Sequence, residues 1–177
     1  MKLFDQFGYH KTSIAMIAEE SATTKANIYH YFRTKHEILF AIYDKWIDEL
    51  TELFEQNITE ETPIDEAIRR IFIDLMSVII ANPGQVRVYF EFVRELPSEF
   101  QGKAQAKRDR YGMLIEDTIT RGITSGELPK QSAHIATEGL LGMCAWASQW
   151  YKPRESSGYK EIAAQFSKIY LEGVRAP

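Results

Sequence analysis

GYHKTSIAMIAEESATTKANIYHYFRTKHEIL, residues 8–39, reads as two short helices joined by a tight turn and followed by the start of a long third helix. Thr12 is a good N-cap, because its hydroxyl can accept from the free N–H groups of a first turn. Ile14, Ile17 and Ala18 then recur at i, i+3, i+4, one face of a helix. The pattern breaks at Ser21-Ala22-Thr23. Thr24 caps a second helix, Lys25 to Tyr31, with Ile28 and Phe32 facing inward. Thr34 caps the third helix, and Glu37 three residues on completes a capping box. Helix, turn, helix is the geometry in which the second helix enters the DNA major groove.

The outward face of that second helix suits DNA. Thr24, Lys25, Asn27, Tyr29, His30 and Tyr31 offer donors, acceptors and rings within two turns. Asn bonds an adenine edge in bidentate fashion, and Lys reaches a guanine or a phosphate. Thr and Tyr hydroxyls and helix N-termini commonly bond phosphates. Lys25, Asn27 and His30 are therefore the candidates for base edges. Thr12, Thr24, Tyr29, Tyr31 and Lys35 are the candidates for phosphates. Spacing alone leaves a plain amphipathic hairpin with a solvated polar face equally open.

The same residues carry a resemblance. Leu3-Phe4, Gly8-Tyr9, Thr12-Ser13-Ile14, Ile17-Ala18, the run Lys25 to Phe32 (Lys-Ala-Asn-Ile-Tyr-His-Tyr-Phe), Lys35, Glu37 and Leu39 resemble the DNA-binding domain of the TetR (tetracycline repressor) family of bacterial transcription regulators. The match is strong over the first quarter of the chain. Beyond it only the helical layout and length agree. The resemblance implies an all-α protein: a three-helix DNA-binding head over residues 1–45 and a helical ligand-binding and dimerisation domain over 46–177. One departure stands out. The family's first helix normally begins some residues before such a Leu-Phe, so from Met1 it would be barely two turns, without the basic residues that often precede it.

Bulk properties agree with one ordinary domain or a small head fused to a larger body. The chain has 177 residues, 45% of them hydrophobic, which suffices for a packed core. No run of 18 apolar residues is present, and the N-terminus has no signal-peptide core. One cysteine, Cys144, excludes an internal disulfide and a multi-cysteine metal site. These features point to a cytoplasmic protein that does not engage a membrane. Residues 1–45 carry six Lys or Arg and five Asp or Glu, and residues 46–177 carry fifteen and twenty, so acid lies away from the proposed DNA face. A head charge of +1 gives weak nonspecific phosphate attraction, which a dimer would double.

From Lys35 the third helix continues through Leu39, Ile42, Tyr43, Trp46, Ile47, Leu50 and Phe54 and would join the head to the body. Pro63 fits the first turn of the next helix, Ile64 to Ala81, which turns Ala67, Ile71, Leu75, Val78 and Ile79 inward. Asn82-Pro83-Gly84 is a stop. Further helices follow: Gln85 to Glu95, about Ser98 to Thr124 with Gly126 as its cap, Ser132 to Trp150, and a last one from Ser156 or Ser157 to about Gly173 after a break at Lys152-Pro153-Arg154. The total is about nine.

Three functional expectations follow for the body. Phe72, Met76, Tyr89, Phe90, Val93, Tyr111, Leu114, Met143, Trp146 and Trp150 provide more aromatic and methionine surface than a minimal core needs, which suits a mostly apolar ligand pocket. Arg87 and Arg94, seven apart, could hold a ligand carboxylate or phosphate. Plain core and solvated arginines are the bland alternative. The run Ala145-Trp146 to Tyr151, with Glu161-Ile162-Ala163 and Leu171-Glu172-Gly173, weakly resembles TetR-family regulators of acyl-coenzyme A or lipid catabolism, so an acyl-CoA or a lipid-like acid is the expected effector. The stripes Ala136, Leu140, Met143, Ala147, Trp150 and Ile162, Phe166, Ile169, Tyr170, Gly173 suit either an internal core or a four-helix dimer interface. The resemblance implies the dimer, with Leu140, Trp150, Phe166, Ile169 and Tyr170 in the interface.

Catalysis has no constellation. His10, His30, His36 and His134 lie in no His-Glu-x-x-His, and Gly122-Ile-Thr-Ser-Gly126 puts Thr124 where a nucleophile elbow needs Ser. His134 and Glu138 could share a metal, but two ligands without a third are usually a surface pair. Cys144 sits among Leu141, Met143 and Trp146, the setting of an inert thiol. No enzyme activity, cofactor or metal is expected. The expected function is a repressor that a small amphipathic ligand releases from a palindromic operator. The alternative is a helical protein-interaction module that binds no DNA, but such a helix would show an exposed apolar stripe where Lys25 to Tyr31 shows polar groups.

Overall fold

Sustained 3-4 spacing of apolar residues, punctuated by Ser, Thr, Gly and Pro, makes a chain of helices. A computed structural model describes residues 2–81, 83–151 and 158–175, without the side chains at 83, 85–87, 89, 174 and 175. Among these the elements are α1 (Lys2–Lys11), α2 (Ile14–Glu20), α3 (Lys25–Tyr31), α4 (Lys35–Asn57), α5 (Ile64–Ala81), α6 (Pro83–Phe92), a 3-10 turn (Val93–Glu95), α7 (Ser98–Ser125), α8 (Ala133–Trp150) and α9 (Tyr159–Arg175). No strand occurs among the described residues. Of the stop expected at Asn82-Pro83-Gly84, Asn82 lies outside them, and Pro83 and Gly84 belong to α6, which starts before the expected Gln85 because proline fits a helix's first turn. The break at 152–154 and the helix start at 156 or 157 also lie outside the described residues.

Local chemistry places most boundaries. Thr24 Oγ1 accepts from the Asn27 N–H at 3.1 Å and starts α3. Thr34 Oγ1 accepts from Glu37 N–H at 3.2 Å, and the Glu37 carboxylate accepts in return from Arg33 N–H at 2.8 Å, one residue earlier than a regular capping box. Ser132 caps α8 through Ile135 N–H. Gly126 ends α7 with φ 81°, a left-handed cap that glycine adopts without strain. Gly8 interrupts α1 at φ 78°, ψ 165°, a backbone conformation open to glycine.

Two hydrophobic cores form. The larger surrounds α5, whose Ala67, Ile68, Phe72 and Met76 are fully buried and which packs against α4, α6, α7, α8 and α9. Tyr43 Oη donates to Ala104 O at 2.9 Å and ties α4 to α7, and Tyr170 Oη donates to Ala136 O at 3.0 Å and ties α9 to α8. The smaller core contains Phe4, Tyr9, Ile38 and Leu39 from the head, closed by Val88 of α6 and by Leu96. The head is thus not self-contained, and the expected division at 45–46 falls inside the continuous helix α4.

Candidate nucleic-acid interface and ligand cavity

Helices α2 and α3 pack together across the turn 21–24. The turn is closed by Ala22 N–H to Glu19 O at 3.0 Å and Thr23 N–H to Ala18 O at 2.9 Å. Ala22 takes φ 48° there, a left-handed conformation unusual for a residue with a Cβ. Ile28 and Phe32 lean on the smaller core. The rest of α3 faces outward: Thr24, Lys25, Asn27, Tyr29, His30 and Tyr31 are all exposed, Tyr31 to 70%. The Thr24 hydroxyl accepts at the cap and keeps its own proton to donate. Asn27 Nδ2 donates to Thr23 Oγ1 at 2.8 Å, which holds the amide at the start of α3. Ser13 is a further exposed hydroxyl beside them, at the N-cap of α2, accepting from Met16 N–H at 3.2 Å.

Two expected phosphate contacts are corrected. Thr12 is 1% exposed, and its hydroxyl donates to Gly8 O at 2.8 Å and Leu3 O at 3.1 Å. It closes the end of α1 instead of capping α2 or facing DNA. Lys35 points inward as well. Its Nζ donates to Tyr9 O at 2.6 Å and Thr12 O at 2.9 Å, against the carbonyls that α1 leaves open. Sequence reading missed this because a lysine after a capping Thr has the same pattern whether it caps a preceding helix or a phosphate.

Inside the body, an apolar cavity of about 80 Å³ lies among α4, α5, α7 and α8. Trp46, Ile47 and Leu50 of α4 form one wall, and Leu75 and Ile79 of α5 another. Tyr111, Cys144, Leu141 and Ala145 close it, with Phe90 and Arg108 at the side. Arg108 is the one charged residue among these. Burial pushes the Cys144 thiol well above its ordinary range, so it is an inert part of the wall. Phe90, Arg108, Leu141 and Ala145 also line a larger groove of about 500 Å³ between α7 and α8, so the cavity continues outward.

Most ligand candidates read from the sequence lie elsewhere. Phe72 and Met76 are 0% exposed in the packed face of α5 and line no part of the cavity. Met143 packs on the large core from its rim. Leu114 lines a separate surface groove beside Phe54 and Arg121. Arg94 is exposed on the 3-10 turn, and the Arg87 side chain lies outside the described residues. Trp146 is 68% exposed on the outer face of α8. Phe90 and Tyr111 are the candidates that line the cavity. Trp46, Arg108 and Cys144 were missed. Trp46 and Tyr43 carry the same helical spacing, and only packing separates a wall residue from a filled core.

The outer faces of α8 and α9 are apolar. Ile135, Trp146 and Trp150 are exposed to 71%, 68% and 40%, with exposed Gly139 and Gly142 between them. Ile169 is exposed to 58% on α9, and Phe166 is half-buried against Trp150. Two interface candidates are corrected: Leu140 is 0% and Tyr170 7% exposed, both in the internal core.

Two helices connect cavity and head. Helix α4 carries Ile38 and Leu39 in the head core and Trp46 and Leu50 in the cavity wall. Helix α6 carries Val88 in the head core, Phe90 at the cavity, and Phe92, whose ring lies 5.9 Å from that of Tyr9. No group of three or more metal-ligating side chains occurs among the described residues, and no helix there is long and apolar enough to cross a membrane.

Comparison with known proteins places this geometry. Residues 1–42 match the model for bacterial regulatory proteins of the tetR family, and residues 61–174 match that for the tetracyclin repressor-like C-terminal domain. The chain is 24% identical over 136 residues to the fatty acid metabolism regulator protein of Bacillus subtilis, covering 76% of this chain and 70% of that one. The structure of PfmR, a TetR-family regulator from Thermus thermophilus, superposes with a TM-score of 0.90 at 26% identity, over 99% of this chain and 96% of that one. AibR, solved in complex with isovaleryl coenzyme A and operator DNA, superposes at 0.81 with 21% identity, over 99% and 94%.

Proposed function

The chain belongs to the TetR family of bacterial regulatory proteins, a ligand-responsive DNA-binding regulator and not an enzyme, and from that premise we propose that it is a repressor released from a palindromic operator by a small amphipathic acid or its acyl-CoA. The carrying observation is that one pair of helices, α4 and α6, belongs both to the head core and to the wall of an apolar cavity with a single arginine. In this reading residues 1–45 bind DNA and residues 46–177 bind effector and partner copy. Lys25, Asn27 and His30 meet base edges, and Thr24, Tyr29 and Tyr31 meet phosphates, because α3 presents them in the open and its capped N-terminus adds free N–H groups. The apolar end of the effector enters beside Trp46 and Tyr111, and its polar end meets Arg108. The name of the Bacillus relative and the isovaleryl coenzyme A of AibR support an acyl-bearing effector.

Two copies pair through the outer faces of α8 and α9, which supports two heads reading half-sites about 34–36 Å apart. Effector that shifts α4 or α6 tilts the heads out of that spacing. Such a ligand must bind the released form more tightly than the DNA-bound form, and DNA must then weaken ligand by the same factor. Selection of genomic fragments with the purified protein, followed by release assays with acids and acyl thioesters, tests this. Enrichment of a palindrome and its loss on adding ligand are expected. Absence of any enriched palindrome overturns the operator, and binding of ligand without change in operator affinity overturns the release.

A further inference from the structure

We infer that the cavity takes a short-chain carboxylic acid as the free acid and not as its coenzyme A thioester, an inference that rests on reading this cavity as the effector site. Size sets the first limit. The cavity holds about 80 Å³ and is closed at its back by Leu75, Ile79, Cys144 and Tyr111, all under 5% exposed. A cavity of about 150 Å³ holds a benzene, so the space here ends at about three to five carbons. A longer chain has to displace packed side chains of α5, and forced overpacking is unfavourable.

Charge sets the second. Arg108 is the one charged group among the described residues of the cavity wall, and a guanidinium pairs with a carboxylate through two parallel hydrogen bonds. Its recorded bond is a donation to Gln105 Oε1 at 2.6 Å, and with five N–H donors it can take a carboxylate without giving that up.

The groove outside sets the third. There Arg108 is accompanied by Asp109, Glu116 and Glu138. Asp109 accepts from Gln105 at 2.5 Å, and Glu116 lies 3.3 Å from His134. A thioester seated in the cavity has to leave its phosphates in this groove, where three carboxylates face one arginine. Like-charge juxtaposition of that kind works against the several phosphate charges of a bound thioester far more than against the single carboxylate of a free acid, which ends at Arg108.

Trp46 is the reporter, because it lines the cavity while the other two tryptophans face outward. Its emission is read in a Trp146→Phe/Trp150→Phe chain during titration with propionate, isovalerate, octanoate and the coenzyme A thioesters of the same three acids. Calorimetry on the unaltered chain repeats each titration. Propionate and isovalerate are expected to bind, octanoate to bind about tenfold more weakly or worse, and each thioester about tenfold more weakly than its acid. Arg108→Gln should weaken the acids about tenfold. Glu116→Gln/Glu138→Gln should strengthen the thioesters several-fold more than the acids. A thioester that binds more tightly than its acid, octanoate that binds more tightly than isovalerate, or no binding by a short acid at millimolar concentration overturns the inference. Operator release is scored separately. Acids that bind but release no DNA defeat the effector reading and leave the cavity's preference intact, while a thioester that binds best and releases DNA does the reverse.

Discussion

The Lys35 ammonium lies 4.2 Å from the centroid of the Tyr9 ring and donates to the Tyr9 carbonyl at 2.6 Å, so the start of α4 closes the end of α1. Replacing Lys35 by Met removes the charge and the donor to three carbonyls at the head's edge, those of Tyr9, His10 and Thr12. Hydrogen bonds to charged groups contribute about 1.5–3 kcal/mol, and the lower end applies at this partly exposed position. We expect Lys35→Met to lower the unfolding temperature while leaving the salt dependence of nonspecific DNA binding unchanged. A shallower salt slope at unchanged stability would return Lys35 to the phosphate contacts.

Asn27 is held at the exposed start of α3 by its bond to Thr23 Oγ1, and base recognition requires that bond to give way to an adenine edge. Asn27→Ala is expected to relax preference at one base pair of each half-site by about 1–3 kcal/mol, with stability nearly unchanged. Affinities measured on operators carrying each of the four bases at each position test this. An identical preference profile for variant and parent sinks the assignment.

Fold and site differed in how much of each the sequence disclosed. Caps at Thr24, Thr34, Ser132 and Gly126 are local chemistry, so helix boundaries could be read residue by residue. The orientation of α8 could not. That helix carries apolar residues around much of its circumference, so Leu140, Cys144 and Ala147 facing inward have the same composition as Ile135, Trp146 and Trp150 facing out. Phe72 and Met76 lie away from the cavity wall for a related reason. An aromatic or methionine marks apolar burial, and only the packing of α9 over α5 decides whether space remains beside it. Arg108 was hidden within a charged run whose neighbour Lys107 is tied to Asp44 and Asp48 of α4 at 2.5 and 2.7 Å.

Asp74 is 6% exposed within α5. Burial raises its carboxyl above the ordinary value of 3.8, and the Asn57 amide at 3.2 Å and the Arg70 charge only partly offset this. The folded chain therefore holds the Asp74 proton more tightly than the unfolded chain. The stabilisation from protonation is complete below the ordinary value and is lost as pH rises through the folded one. Asp74→Asn, which keeps an acceptor for Asn57, should be more stable than the parent at pH 7. The difference should shrink on acidification and vanish near the ordinary carboxylate value. Denaturant midpoints across that range decide it, and a gain that persists at the acid end would point away from this carboxyl.

Trp146 and Leu140 separate association from folding on one helix. Leu140 is fully buried, and Leu140→Ala is expected to cost about 2–5 kcal/mol of fold stability. Trp146 stands on the outer stripe with Ile135, Gly139, Gly142 and Trp150, beside Ile169 of α9. Single exposed apolar residues are ordinary, but a continuous stripe over two adjacent helices marks a surface that another chain covers. The two exposed glycines leave room for a second backbone to approach, and a large aromatic at the centre of such a patch typically dominates its energetics. A self-complementary face needs one carboxylate to place two in the pair, each without a partner. Trp146→Glu should therefore leave unfolding and Trp46-reported ligand binding close to the parent, abolish dimers at micromolar concentration, and weaken operator binding because the two half-sites are then bound independently. Sedimentation and operator titration of the same sample give both readings. A Trp146→Glu chain that still sediments as a dimer would move the interface away from this stripe.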